Sequence, residues 1–262
     1  FRADFKRAQE ELAKQVQADL DALQVETDEN GWTPKTFLYC NEVRCPQTGW
    51  MVPVLPTRLI SKGRATVAEL IPDPDNERFE IQVRSGVSPE ALVKAQKGTI
   101  QADGRGQEAY LLYELNGTAY RTKISTLRGD YTKPHGGSGN KLRLWEKDDF
   151  KPKTSDIFQE RLYCIQWMRQ KKSGRQFEYE FRSVTKDDLR RERIVEENLA
   201  INLGSWQEQG WLPDLRIESG DETERLFRER GWTHWHHLFA PRQLLFLGLA
   251  GKHIHNRSDN MS

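Results

Sequence analysis

The hydrophobic period of this chain changes at Asn30-Gly31, and that change restricts it to a fold that mixes helix with sheet. Before it, Phe5, Ala8, Leu12, Val16, Leu20 and Leu23 recur at intervals of three or four and form one stripe of an amphipathic helix. After it the apolar pieces are short or alternating. They run over Thr36–Tyr39, Met51–Leu55, Ala65–Leu70, Phe79–Val83, Tyr110–Leu115 and Leu142–Trp145, and Asn-Gly, Thr-Gly, Pro-Asp and Asp-Gly signals separate them. Asn116-Gly117 is the best hairpin turn, because both residues tolerate positive φ. Periodicity alone leaves Ile157 to Met168 open between a strand and a buried helical segment. Further on, Thr185 can cap a helix with Asp188 at its third position, and that helix carries Leu189, Val195, Leu199, Leu203 and Trp206 toward a partner surface until Gly210 stops it. The expected class is therefore α+β, with an N-terminal helix over 1–30, a β-rich region over 31–154 and an α+β region over 155–262.

A chain of 262 residues with 11 Phe, 8 Trp and 7 Tyr can build a real core. No apolar run approaches the roughly 20 residues of a membrane span, so no membrane partner is expected. Three cysteines without a secretory segment favour a reducing compartment, by default the cytoplasm. The opening Phe1-Arg2-Ala3-Asp4 is already inside a helical pattern, which suggests a piece of something longer.

Charge is balanced overall, 40 Lys plus Arg against 39 Asp plus Glu, so the molecule as a whole does not attract polyanions. Its distribution is uneven. Arg121 to Lys153 holds nine basic and four acidic residues, and Arg161 to Arg175 five basic and none acidic. These stretches form either a positive surface for a phosphate backbone or a solvated basic loop region. The loop His135 to Gly139 is glycine-rich but no Lys-Ser or Lys-Thr helix follows it, which argues against a phosphate loop.

Three of the six histidines crowd into Gly231 to Phe239, just before Pro241, whose fixed φ suits the first position of a helix. If that segment is extended, His234 and His236 share one face, and Trp235 and His237 the other. The rings can be hydrogen-bonded within a packed junction, can line a nucleic-acid site on which bases stack, or can bind metal. Cys40 and Cys45 lie in one zinc-ribbon-like knuckle between two β segments. Structural zinc normally takes two such knuckles, so a zinc site is possible but incomplete, and a metal-free scaffold of the same shape is the alternative. Cys164, among apolar neighbours, reads as a small hydrophobe. No nucleophilic triad, glycine fingerprint for a nucleotide or Asp-Pro-Pro-Tyr signature is present.

The stretches Tyr39 to Pro53, Tyr120 to Asp130, Asp156 to Ile165 and Arg230 to Leu244 resemble the middle of the large DUF1156 proteins, adenine-specific DNA methyltransferases that contain a zinc-ribbon region. The resemblance implies that this chain is an internal region of such an enzyme. It would be a β-rich zinc-ribbon-like insertion flanked by helices, within a larger α/β methyltransferase. It also implies S-adenosyl-L-methionine as the parent's cofactor, double-stranded DNA as partner, and a bacterial DNA-modification or anti-phage setting in which other defence-system proteins are further partners. Family members carry another cysteine pair near the stretch Tyr110 to Gly117, where this chain has none. In such an enzyme the adenine leaves the helix and its N6 attacks the cofactor methyl in line. No residue here is assigned to that chemistry. Labelled cofactor and duplex DNA are expected to show no methyl transfer by the 262-residue chain alone. The residues expected to meet DNA are Arg121, Lys123, Arg128, Lys141 and Arg143 at phosphates, with Trp232, His234, Trp235, His236 and Arg242 near the junction with the catalytic fold.

Overall fold

The computed structural model describes residues 2–104, 106, 108–172, 174 and 176–259. Phe1 and Arg175, named above, lie outside the described residues. The protein is a mixed α+β chain whose helices and strands are α1 (Arg2–Leu23), β1 (Thr33–Arg44), β2 (Met51–Val54), β3 (Leu59–Ser61), β4 (Thr66–Asp73), β5 (Arg78–Arg84), α2 (Pro89–Ala95), β6 (Ile100–Ala102), β7 (Ala109–Leu115), β8 (Thr118–Lys123), α3 (Ile124–Arg128), β9 (Tyr131–Thr132), β10 (Ser138–Gly139), β11 (Phe158–Gln170), β12 (Phe177–Ser183), α4 (Lys186–Glu208), α5 (Glu224–Arg230) and α6 (Pro241–Asp259). No described helix is long and apolar enough to cross a membrane.

Two compact units share the chain. A helical unit takes the described residues as far as Thr33, then Leu144–Lys151, then everything described from Thr185 onward, while a β unit takes Pro34–Arg143 and Pro152–Val184. This division differs from the expected boundaries of 1–30, 31–154 and 155–262. The difference comes from β11 and β12, which the sequence places after 155 but which join the main sheet of the β unit as an antiparallel pair, and from Leu144–Lys151, which falls within 31–154 but belongs to the helical unit.

In the helical unit, α4 opens on the expected capping box. The Thr185 hydroxyl accepts from the Asp188 backbone N–H, and the Asp188 carboxylate accepts from the Thr185 N–H at 2.8 Å. Val195, Leu199, Leu203 and Trp206 then fall on one face and are buried with Val16 of α1 and Leu244, Leu245 and Leu249 of α6. Spacings of three and four residues carry this core on all three helices. Gly248 lets α6 approach α4 closely, since a Cβ there would collide with the Trp206 ring. Arg242 ties the layer together from within: it donates to the Glu192 carboxylate, to Glu26 at 3.0 Å and to the Val25 carbonyl at 3.2 Å.

The β unit is built on a seven-stranded sheet in the order β12-β11-β1-β2-β5-β4-β3 and a three-stranded sheet β6-β7-β8. Most neighbours are antiparallel, but β2 meets β5 in parallel through the pair Met51 and Arg78. One core cluster holds Val43, Cys45, Val52, Phe79, Leu111, Tyr113, Leu115 and Leu127, and another holds Cys40, Leu55, Ala68 and Ile81. A buried ionic group crosses the main sheet. Glu42 accepts from Arg161 at 2.7 Å and from Arg78 at 2.8 Å, and Arg161 also donates to the Phe79 carbonyl at 2.7 Å.

Candidate nucleic-acid interface

Strands β7 and β8 are joined by Asn116-Gly117, whose φ angles of 52° and 77° suit the tight hairpin turn that brings Leu115 opposite Thr118. That register fixes everything along the ladder. Leu111, Tyr113 and Thr122 turn inward and are buried. The alternate positions turn outward, so Lys123 stands opposite Tyr110 and Arg121 opposite Leu112. Arg121 reaches diagonally, and its guanidinium lies over the Tyr110 ring with 3.6 Å to the ring centroid. Arg121 and Lys123 are both exposed, and the Lys123 ammonium is 3.5 Å from the Glu108 carboxylate.

The other expected cations of this unit are placed differently. Arg128 forms a two-pronged pair with Asp130 at 3.1 and 2.7 Å, and Arg143 forms one with Asp156 at 2.7 and 2.8 Å. Both guanidiniums are thus partly neutralised and hold loops in shape. Lys141 is exposed, its stem lies against Gly129, and its backbone N–H donates to the Arg128 carbonyl at 2.9 Å. Arg121, Lys123 and Lys141 are accordingly the members of the set best placed to meet an anion.

The cysteines part company. Cys40 belongs to the cluster with Leu55, Ala68 and Ile81, where burial pushes its thiol up to about 12. Cys45 sits in the other cluster, at the start of a turn closed by its N–H to the Trp50 carbonyl and by the Gly49 N–H to its own carbonyl, both 2.8 Å. Burial raises the Cys45 thiol, but hydrogen bonds from the Tyr113 hydroxyl, the Gln47 backbone, Thr122 and the Thr48 backbone outweigh it and leave the pKa below its ordinary value. Thr48 and Tyr113 meet at 2.7 Å between their hydroxyls. The Cys45 sulfur is therefore held within the fold by Tyr113 and Thr122, while Cys40 lies in a separate cluster.

The histidine cluster belongs to the helical unit. It is not extended: Trp235–Leu238 is a turn of 3-10 helix, so the two-faced arrangement expected of it does not form. His236 and His237 are buried, and their ring centroids are 4.3 Å apart. His236 reaches the Asp149 carbonyl at 3.2 Å through Nε2 and the Gln207 amide at 3.3 Å through Nδ1. His237 reaches the Glu146 carbonyl at 3.0 Å through Nε2, and its Nδ1 accepts from the Thr233 and His234 backbone N–H groups at 3.1 and 3.3 Å. Each ring thus spends both nitrogens inside the fold, as a neutral imidazole does. Burial depresses all three histidines, and His237 falls to about 4. His236 is fully buried, and the Arg242 side chain, 11% exposed, has its guanidinium engaged by Glu192, Glu26 and the Val25 carbonyl. Trp232, His234 and Trp235 retain exposure, with the Arg230 guanidinium 5.7 Å from the Trp232 ring centroid.

Two features went unremarked in the sequence. Tyr110 was legible, since a two-residue hairpin at Asn116-Gly117 by itself places Lys123 opposite it. Glu146, Asp148 and Asp149 bring carboxylate oxygens within 4.8 Å of one another and form a set that a metal could join, although Asp149 already accepts from the Glu146 N–H at 2.7 Å. Compared with protein-family models, with curated proteins and with solved structures, the chain gives no match.

Proposed function

We propose that this chain is a nucleic-acid-binding module. On this reading it supplies DNA contacts to an S-adenosyl-L-methionine-dependent adenine-N6 DNA methyltransferase of a bacterial modification or anti-phage system. The observation that carries the nucleic-acid part is the outward face of β7 and β8. An arginine stacked on a half-buried tyrosine, with a lysine beside it, offers charge for phosphates and a flat surface for a base or sugar. The methyltransferase part rests on the resemblance of the four stretches quoted above.

The test is fluorescence anisotropy with a labelled duplex. The Arg121→Ala, Lys123→Ala double variant is expected to bind roughly tenfold or more weakly than the native chain in low salt, with unchanged circular dichroism. Equal affinity would remove this face from the interface. A second reading, a noncatalytic assembly module, is favoured by Phe246, Leu247 and Ile254, which are exposed on α6. Light scattering that finds stable oligomers of a chain with no affinity for DNA would select it.

A further inference from the structure

Strand β8 runs directly into α3, and α3 forms one wall of a groove of about 560 Å³ in the β unit. That volume falls within the roughly 300–1,000 Å³ of small-molecule sites. Its walls are of two kinds. Pro46, Met51, Leu127 and Ile157 supply apolar surface, while Thr126, Thr154, Ser155 and Gln159 supply hydroxyls and an amide. Arg44, exposed, adds a cation that also donates to the Gly49 carbonyl and lies 3.9 Å from the exposed Glu77 carboxylate, and Asp156, whose carboxylate is already engaged by Arg143 and the Lys153 N–H, adds a saturated wall rather than a free charge. Apolar surface for the face of a ring, neutral donors and acceptors for its edge, and a cation for a phosphate are what one nucleotide removed from its stack requires. A stacked duplex presents no such group.

We infer that this groove receives a single unstacked nucleotide, and that the module prefers single-stranded or locally opened nucleic acid to intact duplex. The inference rests on the nucleic-acid reading above and adds to it a subsite and a strand preference. The base lies against Met51, Leu127 and Ile157, its edge meets Thr126, Thr154 and Ser155, and Arg44 faces the adjoining phosphate. The backbone is delivered by Arg121 and Lys123, which precede α3 in the chain.

The probe is an oligonucleotide carrying one 2-aminopurine, as a single strand and in a fully paired duplex, read by anisotropy for affinity and by emission for the stacking state. The native chain is expected to bind the single strand at least fivefold more tightly and to change the emission of the bound base. Thr126→Trp, on α3, and Ser155→Trp, on the segment before β11, fill the groove from exposed lining positions, so folding is retained. Both are expected to abolish the emission change and the strand preference while duplex affinity stays within about twofold. Duplex binding with no strand preference, or an emission change that survives both substitutions, overturns the groove and leaves the basic face standing. No binding to either oligonucleotide overturns both.

Discussion

Glu42→Ala is expected to unfold the β unit at markedly lower urea concentration, with a loss of about 3 kcal/mol or more. The carboxylate is almost entirely buried, at 3% exposure, and two arginines depend on it. Removing one partner of a buried pair costs far more than the pair contributes, because the charge left behind cannot regain its water. The two arginines differ in this respect. The Arg78 side chain is 35% exposed and can rehydrate, which holds the loss toward the lower end, whereas Arg161 at 16% cannot. Glu80→Ala is the matched control. It removes a carboxylate that is 52% exposed from the same Arg161, and it should cost under about 1 kcal/mol. Near-equal losses for the two variants, measured by urea denaturation, would mean that burial does not govern this network.

The second large effect is on pH. His237 is depressed to about 4 from its ordinary 6.5, chiefly by burial and then by the neighbouring His236. A group whose folded pKa is lowered in this way takes up its proton in the unfolded chain first. Below pH 6.5 the unfolded state therefore binds more protons, and stability falls as pH drops until the folded ring also titrates near 4. The contribution is complete above 6.5, and the loss across the window is about 3 kcal/mol for His237 alone. His236 is depressed by the same cause and adds in the same direction. Urea denaturation of the helical unit, followed by tryptophan fluorescence between pH 7 and 4, checks this. His237→Phe should be less stable at pH 7, because it abandons the Glu146 carbonyl and two backbone N–H groups, yet its decline toward pH 4 should be shallower than that of the native chain. Parallel declines would place the acid sensitivity elsewhere.

What could be read from the sequence was whatever depends on near neighbours in the chain. The stripe from Phe5 to Leu23 is α1, the capping box at Thr185 opens α4, Gly210 ends it with a φ of 72°, and Pro241 begins α6. Five of the six predicted strand windows fall on strands. Leu142–Trp145 does not, because its end N–H groups serve other partners: that of Leu142 donates to the Asn140 side chain at 3.1 Å, and that of Trp145 to the Gly231 carbonyl at 2.8 Å. Period-two alternation of Phe177, Tyr179 and Phe181 would have announced β12, and with it the hairpin that moves β11 into the sheet.

What stayed illegible was set by partners distant in the chain. Nothing near Arg242 in the sequence says that Glu26 and Glu192 will claim it, nor does anything near His236 point to Gln207 or the Asp149 carbonyl. Residue type marked both as candidates for DNA, and the structure gives both to partners within the fold. The Cys45 turn was visible as a knuckle, but only the packing of β7 and β8 against it reveals that Tyr113 and Thr122 hold the sulfur. Arg121, Lys123 and Lys141 keep exposed positions in the β unit, and Trp232, His234 and Trp235 retain exposure in the helical unit.

The salt dependence of nucleic-acid affinity tests the proposed interface most directly. Removing one cation that binds a phosphate should flatten the slope of log K against log salt by somewhat under one unit. Measured from about 50 to 200 mM salt, the native chain is expected to show a steep slope, and the Arg121→Ala, Lys123→Ala variant one shallower by about 1.5 to 2. Identical slopes for the two proteins, or affinity in the native chain that does not respond to salt, would contradict a phosphate-binding face on β7 and β8.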